Sequence, residues 1–345
     1  MEDKGARRFP AALVEKRAAA CLRRVGASEA SLAAAVRAML HASMLGVDSH
    51  GVRLTGHYCA MLEGGRLKRD PQLRVERRGA GSAMVHGDDG MGHFAAYRAV
   101  ETGMELARTA GVGAVGVSHS SHFGAAGAYA MAGAEQGFVT FATTNTDSLV
   151  TLFDGAAKFH GTNPLAFAAP VPGQEPWLLD MATSSIPLNR VLLHRSLGAP
   201  LPQGVAADAE GRPTTDPNEA DMLLPLGGVD YGYKGAGLAG VATLFSALLT
   251  GTTLDPDFIP MYGSGDISTP RNMGHFILVI DPEKFAGREL FGALMARYLD
   301  SLRASPLRPG AERVMAPGDR EWAEKARREQ EGIPLDPYSV AFLGL

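Results

Sequence analysis

The sequence predicts a mixed α/β (α+β) protein in which helices from both chain ends flank a sheet-containing middle. Three observations lead there. Segments of helical periodicity dominate up to about residue 78 and again after about residue 285. Short apolar and β-branched runs, separated by Gly and Pro, fill the region between. Within that region "SAMVHG", "HFAAYRAVETGMELARTA" and "GAVGVS" read as strand, helix and strand in succession. At 345 residues the chain is long enough for two domains. The expected division is a helical domain from residues 1–78 with 285–345, and a sheet domain from 79–284.

The elements follow in order. Residues 10–46 read as two helices separated by Gly26. Ser28 stands where it can cap the second, and Leu32, Val36, Met39 and Leu40 recur at helical spacing. The stretch "GVDSHGVRLTGHYCAMLEGG" reads as a turn running into a short helix that stops at Gly64 and Gly65. After "GAVGVS" come a helix in "GAAGAYAMAGAEQG" and strands in "FVTFATTNT", "PLAFAAP" and "WLLDMA". "GVDYGYKGAGLAGVATLFSALLTG" returns to helix and "GHFILVI" to strand. "PEKFAGRELFGALMARYLDSL" and "DREWAEKARREQEG" close the chain as helices. Helical pieces at the two ends are expected to pack together, because chain termini often meet in space.

Composition removes several function classes. Charged residues are 20% and apolar residues 46% of the chain, the balance of a folded globular protein rather than a disordered one. The net charge is −4 and no basic cluster stands out, so nucleic acid is not an expected partner. The N-terminal stretch is charged throughout, unlike a secretory signal. The uncharged run at residues 235–254 is rich in Gly, Thr and Ser and reads as a buried core helix rather than a membrane span. The two cysteines, Cys21 and Cys59, form neither a CxxC pattern nor a disulfide framework, so a reduced cytoplasmic chain is expected.

"GVGAVGVSHSSHFGAAGAYA" (111–130) raises a sharper question. Gly111, Gly113 and Gly116 spell GxGxxG, yet a dinucleotide fingerprint must leave a strand and open a helix. Here a helix precedes the glycines and a strand contains them, so they are expected to end one element and lighten the next. His119 and His122 lie three apart, but no HExxH or carboxylate set accompanies them, and no metal is expected.

Seven segments in register carry a resemblance. They are "DSHGVRLTGHY" (48–58), "GVSHSSHFGAAGAYA" (116–130), "HGTNPLAFAAP" (160–170), "LDMATSS" (179–185), "GRPTTDP" (211–217), "LLPLGG…YKGAGLA" (223–239) and "RNMGHF" (271–276). Together they resemble the malate/L-lactate dehydrogenase family of the second type over roughly residues 10–335. That family includes ureidoglycolate, sulfolactate and diketogulonate enzymes and cyclic imino acid reductases. The resemblance implies a non-Rossmann NAD(P)-binding sheet domain, a helical domain built from both chain ends, and an active site in the cleft between them. It also implies a homodimer acting on a small 2-hydroxy or 2-oxo acid, with no membrane partner.

A 2-hydroxy acid dehydrogenase needs a group to carry the hydroxyl proton, a cation for the carboxylate, and contacts for the dinucleotide. Histidine suits the first task because it titrates near neutrality. The resemblance offers His50 of "SHG", in a relay with Ser49 and Asp180, and His122 of "SHFG". The reading favours His50 for the proton, with His122 against substrate or nicotinamide. Arg53 is the candidate carboxylate clamp, because a guanidinium makes a bidentate pair. Many relatives carry that arginine four residues after the histidine. Here it is three after, Leu54 follows, and Tyr58 keeps its register. Tyr58 and Thr162 complete the substrate set. For NAD or NADP the resemblance points to His122, Thr146, Asp147, Asp180, Met181, Ala182, Lys234, Gly318, Asp319 and Arg320. Asn163 of "GTNP" is read equally well as a pocket residue or a turn. Relatives often have Gly-Lys where this chain has Asn189 and Arg190.

Overall fold

The structure is a computed structural model that describes residues 7–261 and 263–345. Strand β1 (Arg7–Phe9) leads into helices α1 (Ala11–Arg24) and α2 (Glu29–Met44). Two 3₁₀ turns, Asp48–His50 and Val52–Leu54, precede α3 (Thr55–Gly64). Then come β2 (Arg74–Gly79), β3 (Ser82–His86), α4 (Gly92–Ala110), β4 (Val112–Ser120), α5 (Gly127–Ala134) and β5 (Val139–Thr144). The short strands β6 (Val150–Thr151) and β7 (Lys158–His160) are followed by β8 (Leu165–Ala169) and β9 (Trp177–Met181). Next are α6 (Leu188–Leu197), β10 (Ala206–Ala207), β11 (Pro213–Thr214), β12 (Met222–Leu223) and α7 (Gly228–Thr243), which runs into a π-helical turn at Leu244–Leu248. The chain ends with β13 (Met273–Ile280), α8 (Arg288–Arg303), α9 (Asp319–Glu331), β14 (Ile333–Leu335) and α10 (Pro337–Leu343).

The main sheet has the order β2-β3-β4-β13-β5-β8-β9. β3 and β4, joined through α4, are parallel; every other neighbouring pair in it is antiparallel. Alternation decides its two faces, because side chains at i and i+2 share a side. Val115, Val117, Ala142, Ala166, Ala168, Ile277 and Val279 face a core shared with α4 and α5. The intervening Phe141, Leu165, Phe276, Ala114 and Leu278 face Ala242 of α7 and Phe245 of its π turn. A smaller sheet, β11-β10-β12-β6-β7, packs Val150, Ala206 and Leu223 with Val191 of α6. The two-residue strands of this sheet and α6 carry no periodic signal long enough to be read in the sequence.

The two chain ends do meet. β1 pairs antiparallel with β14, Phe9 opposite Ile333, and Val14, Leu22, Leu32, Val36, Met39, Tyr58, Val340 and Leu343 share one apolar core. Each fully buried Leu or Val side chain there stabilises the fold by ~1.5–3 kcal/mol. β2 crosses residue 78 to pair with β3, and α8, although it follows residue 285, packs through Met295 and Leu299 against Val171 and Trp177 at the β9 end of the main sheet.

The glycine fingerprint has a packing role. Gly111 ends α4 with φ of +84°. A Cβ on Gly113 would lie 2.1 Å from the Gly103 carbonyl of α4, so glycine lets strand and helix touch.

Two sequence expectations need correction. Ser28 sits at the start of α2, but its side chain makes no cap hydrogen bond; its backbone amide donates to the Arg69 carbonyl. The uncharged run is not a buried core helix. α7 and its π turn cover the sheet with one face and expose Leu238, Val241, Leu244, Leu248 and Leu249 on another. Glycine spacing hid this, because an apolar run looks alike whether it is covered on one side or all round. Among the described residues, no helix is long and apolar enough to cross a membrane.

Candidate active site

A cavity of ≈ 280 Å³ opens between the turns after α2, the loop between β4 and α5, and the C-terminal ends of β5 and β9. Ser49, His50, His122, Thr146, Asp147, Thr162, Asp180, Met181 and Ala182 all line it. Sequence segments separated by more than 100 residues therefore converge on one space.

The local chain explains the convergence. The 3₁₀ turn Asp48–His50 is pinned from outside: Asp48 Oδ1 and Oδ2 accept from the Arg328 guanidinium of α9, with Nη2 to Oδ2 at 2.9 Å. Arg328 is buried and also bonds Glu324 and the Ser43 carbonyl. This fixes the turn that presents Ser49 and His50. Ser49 Oγ lies 2.9 Å from His50 Nδ1, which leaves His50 Nε2 for a ligand. His122 follows the end of β4, and its Nδ1 is 2.8 Å from the Tyr58 hydroxyl. The His50 and His122 rings are stacked, centroids 5.7 Å apart and 25° from parallel. Tyr58 packs edge-on against His93, 4.7 Å between centroids.

Burial drives both histidines toward the neutral form. His50 is pushed down to about 4 by burial alone. His122 lies well below its ordinary value, through burial first and then the charges of His50, His57, His93 and Arg271. Asp180 is pushed up to about 6 by burial, against the opposing effect of the Gly127 amide. Its Oδ2 accepts from Gly127 N at 2.8 Å, the first amide of α5, where a helix N-terminus favours a carboxylate. Among the described residues no hydrogen bond links Asp180 to Ser49 or His50, so the expected relay closes only between Ser49 and His50.

A second buried carboxylate organises the opposite wall. Asp255, 1% exposed, accepts from Asn163 Nδ2 (2.7 Å), Asn145 Nδ2 (2.8 Å), His160 Nδ1 (3.1 Å) and the Gly161 amide (3.2 Å). Burial alone would raise it, but these donors hold it below the ordinary carboxylate value. Asn163 Oδ1 in turn accepts from Thr146 N at 3.1 Å. Asn163 is thus internal scaffolding rather than a pocket residue. The Thr146 hydroxyl is buried with no partner among the described residues, on the cavity wall. Such an orphaned group suits a ligand's amide or hydroxyl, and the set of small, polar and apolar lining residues fits a nicotinamide and ribose.

The remaining expected residues lie elsewhere. Tyr58 stands behind His122. Arg53 is exposed, on the side of Asp336, and Leu54 takes the cavity wall. The one-residue offset turned the arginine out. Lys234 is exposed on α7 above Tyr231 and Tyr233. Gly318 opens α9 with φ of +97° beside Leu178 of β9; Asp319 pairs with Arg303 (2.7 Å); Arg320 is exposed. None of these lines the cavity. Sequence reading missed Leu54, Thr144, Leu188 and Met261 on the wall, and the Asp255 hub. Only Leu54 carried a signal, as the residue in the arginine's usual place.

The profile of the malate/L-lactate dehydrogenase family matches residues 9–343. Malate dehydrogenase of Pyrococcus horikoshii is 34% identical over 303 residues, covering 86% of this chain and 82% of that protein. Its solved structure superposes with a TM-score of 0.88 over 99% of this chain and 94% of that one, at 28% identity. The NAD(+)-named ureidoglycolate dehydrogenase of Escherichia coli K12 is 34% identical over 297 residues, 86% of this chain and 83% of that protein. A Δ1-piperideine-2-carboxylate reductase structure from Pseudomonas syringae gives a TM-score of 0.83 at 29% identity over 98% of both chains. The relatives include enzymes named for NAD(+) and for NADP(+). The chain belongs to the malate/L-lactate dehydrogenase family and is an NAD(P)-dependent dehydrogenase.

Proposed function

We propose that the chain interconverts a small 2-hydroxy acid and its 2-oxo acid, with His50 moving the hydroxyl proton and NAD or NADP accepting hydride. The observation that carries this is the pair of stacked, burial-neutralised histidines facing one cavity with the orphaned Thr146 hydroxyl. When bound, the dinucleotide supplies the hydride acceptor at its nicotinamide. Thr146, Met181, Ala182 and Asp180, which line the cavity, would hold it, and Asp147 belongs to the same wall. Lys234, Gly318, Asp319 and Arg320 remain candidates for its distal half.

The proton chemistry follows from the hydrogen bonds. For His50 to act as base, Nδ1–H donates to Ser49 Oγ and Nε2 keeps its lone pair for the substrate hydroxyl. In the reverse direction a His50 imidazolium, disfavoured by burial, is a strong proton donor to the developing alkoxide. Tyr58 holds the His122 ring in a fixed orientation on the cavity wall. Thr162 lines the same cavity and would face the substrate.

The exposed apolar face of α7 supports a homodimer that covers it. Cys21 and Cys59 are unpaired and buried, which suits a reducing cytoplasm. We further propose two units, residues 1–78 with 285–345 and residues 79–284, with β2 and α8 crossing that boundary onto the main sheet.

The likeness to an imino acid reductase favours a second reading, delivery of hydride to C=N of a cyclic 2-imino acid. Steady-state assays with malate, lactate and sulfolactate, against piperideine-2-carboxylate, separate the two. Turnover of a hydroxy acid is expected. Reduction of the imino acid alone selects the second reading, and turnover of none rejects both.

A further inference from the structure

A substrate carboxylate needs a cation, yet no Lys or Arg is among the described residues that line the cavity. Its ionisable wall groups are His50, His122, Asp147 and Asp180. Arg53 points away and Leu54 fills the wall. Two arginines are buried nearby, Arg66 and Arg271, and both act electrostatically on His57. Arg66 bonds the Asp266 carbonyl at 2.6 Å, and Asp266 is not part of the wall. Arg271 differs. Its Nη2 donates to Asp147 Oδ1 at 2.6 Å, and Asp147 lines the cavity. Asp147 Oδ2 accepts from the Met261 amide at 2.9 Å, and Met261 lines it too. The guanidinium lies over the Phe258 ring, 5.0 Å from its centroid. Its Nε–H is buried and has no partner among the described residues. Asn272, the next residue, sits at φ +47°, and its Oδ1 accepts from the His119 amide at 2.9 Å, which ties the backbone beside Arg271 to the end of β4.

We propose that Arg271, oriented by Asp147, is the group that recognises the substrate carboxylate in this chain, in place of the displaced Arg53. Asp147 takes Nη2 of the planar guanidinium and holds it behind the cavity wall. The unspent Nε–H, which lies on the same side of the guanidinium as Nη2, is the donor for the C1 carboxylate of a 2-oxo or 2-hydroxy acid. A buried arginine with its Nε–H unmet is costly to keep unless a ligand completes it. The inference rests on the functional reading above.

The test compares wild type, Arg271→Met, Arg271→Gln and the double variant Leu54→Arg with Arg271→Met. Each is assayed with whichever of oxaloacetate, pyruvate and sulfopyruvate the wild type reduces best, and with the C1 amide of that acid. NADH or NADPH affinity is read by fluorescence titration. Arg271→Met is expected to raise KM for the acid at least 100-fold and leave KM for the amide and cofactor affinity within about threefold. Leu54→Arg is expected to recover at least tenfold of the loss by restoring an arginine at the wall. Arg271→Gln, which can still donate to Asp147, reports the same acid-to-amide ratio if Arg271→Met does not fold. An acid KM within threefold of wild type overturns the proposal. So does an equal loss for acid and amide, which is the result of a purely structural role. A wild type that reduces none of the acids or the amide with either cofactor overturns the functional reading itself, and this inference with it.

Discussion

His50 and Arg53 stand three residues apart and fare oppositely. His50 is held by its neighbour Ser49 and opens on the cavity. His50→Ala is expected to lower kcat by about 10²–10⁴-fold, the usual loss for a general acid or base. Cofactor affinity should stay near wild type, since its expected contacts lie elsewhere; intact kcat with collapsed cofactor binding speaks against the assignment. The pH dependence follows from burial. With the imidazole at about 4, the base form is already present at pH 5, so oxidation should show no acidic limb near 6.5. A kcat profile that falls on descending through 6.5 would mean another group carries the proton. Arg53 is exposed, and Arg53→Ala should leave kcat/KM within about twofold; a loss above tenfold would restore it as the clamp. The motif "SHG" was legible because the contact it needs is with an adjacent residue. The direction of Arg53 was not, because one step of a 3₁₀ turn rotates a side chain by about 120° and only the packed turn decides which residue faces inward.

The loops around the cavity depend on carboxylates that bind elements rather than substrate. Asp180 receives the first amide of α5, and a Cβ on Gly127 would come 2.7 Å from its Oδ2. Asp255 ties the ends of β5 and β7 to the loop that carries Thr162 and Asn163. Asp255→Ala would strand several buried donors, each costing about 1–3 kcal/mol when unsatisfied. A loss of about 3 kcal/mol or more in denaturant unfolding is expected, with kcat of the surviving folded fraction also reduced as Thr146 loses its anchor. A midpoint unchanged in urea would show that the network relaxes without cost. Helix and strand positions in the main sheet were readable from alternation and helical spacing. The hub was not, because Asp255 lies about 90 residues from Asn163 and nothing in "TTLDPDF" marks a buried charge.

At the level of the molecule, several histidines are held neutral by burial. His41, His50 and His57 are pushed down to about 4, and His93 and His275 to about 3. Each would bind a proton near 6.5 when unfolded but only near 3 to 4 when folded. Between those values the unfolded chain holds more protons, so stability falls as pH falls from 6.5 towards 4 and is unaffected above it. The slope is roughly 1.4 kcal/mol per pH unit for each histidine that contributes fully. Thermal midpoints should therefore drop steeply across that window; a flat profile between pH 6.5 and 4.5 would mean these side chains reach water. The α7 face makes a separate prediction. Sedimentation should give twice the chain mass, and replacing Leu244 and Leu248 by Glu should halve it without unfolding the chain.

Local chemistry was enough to determine the mixed α/β class, the helical ends, the strand–helix–strand run and the packing role of the glycines, because each depends on neighbours within a turn or a strand; the family was legible as the resemblance of seven segments in register along the chain. Tertiary structure alone decided which segments meet. It brought His50, His122, Thr146 and Asp180 to one cavity, put Leu54 rather than Arg53 on its wall, and placed Arg271 behind Asp147. The physical reason is that burial and ion pairing are set by residues distant in the chain, and a spacing pattern records only the period of a segment, not what covers it.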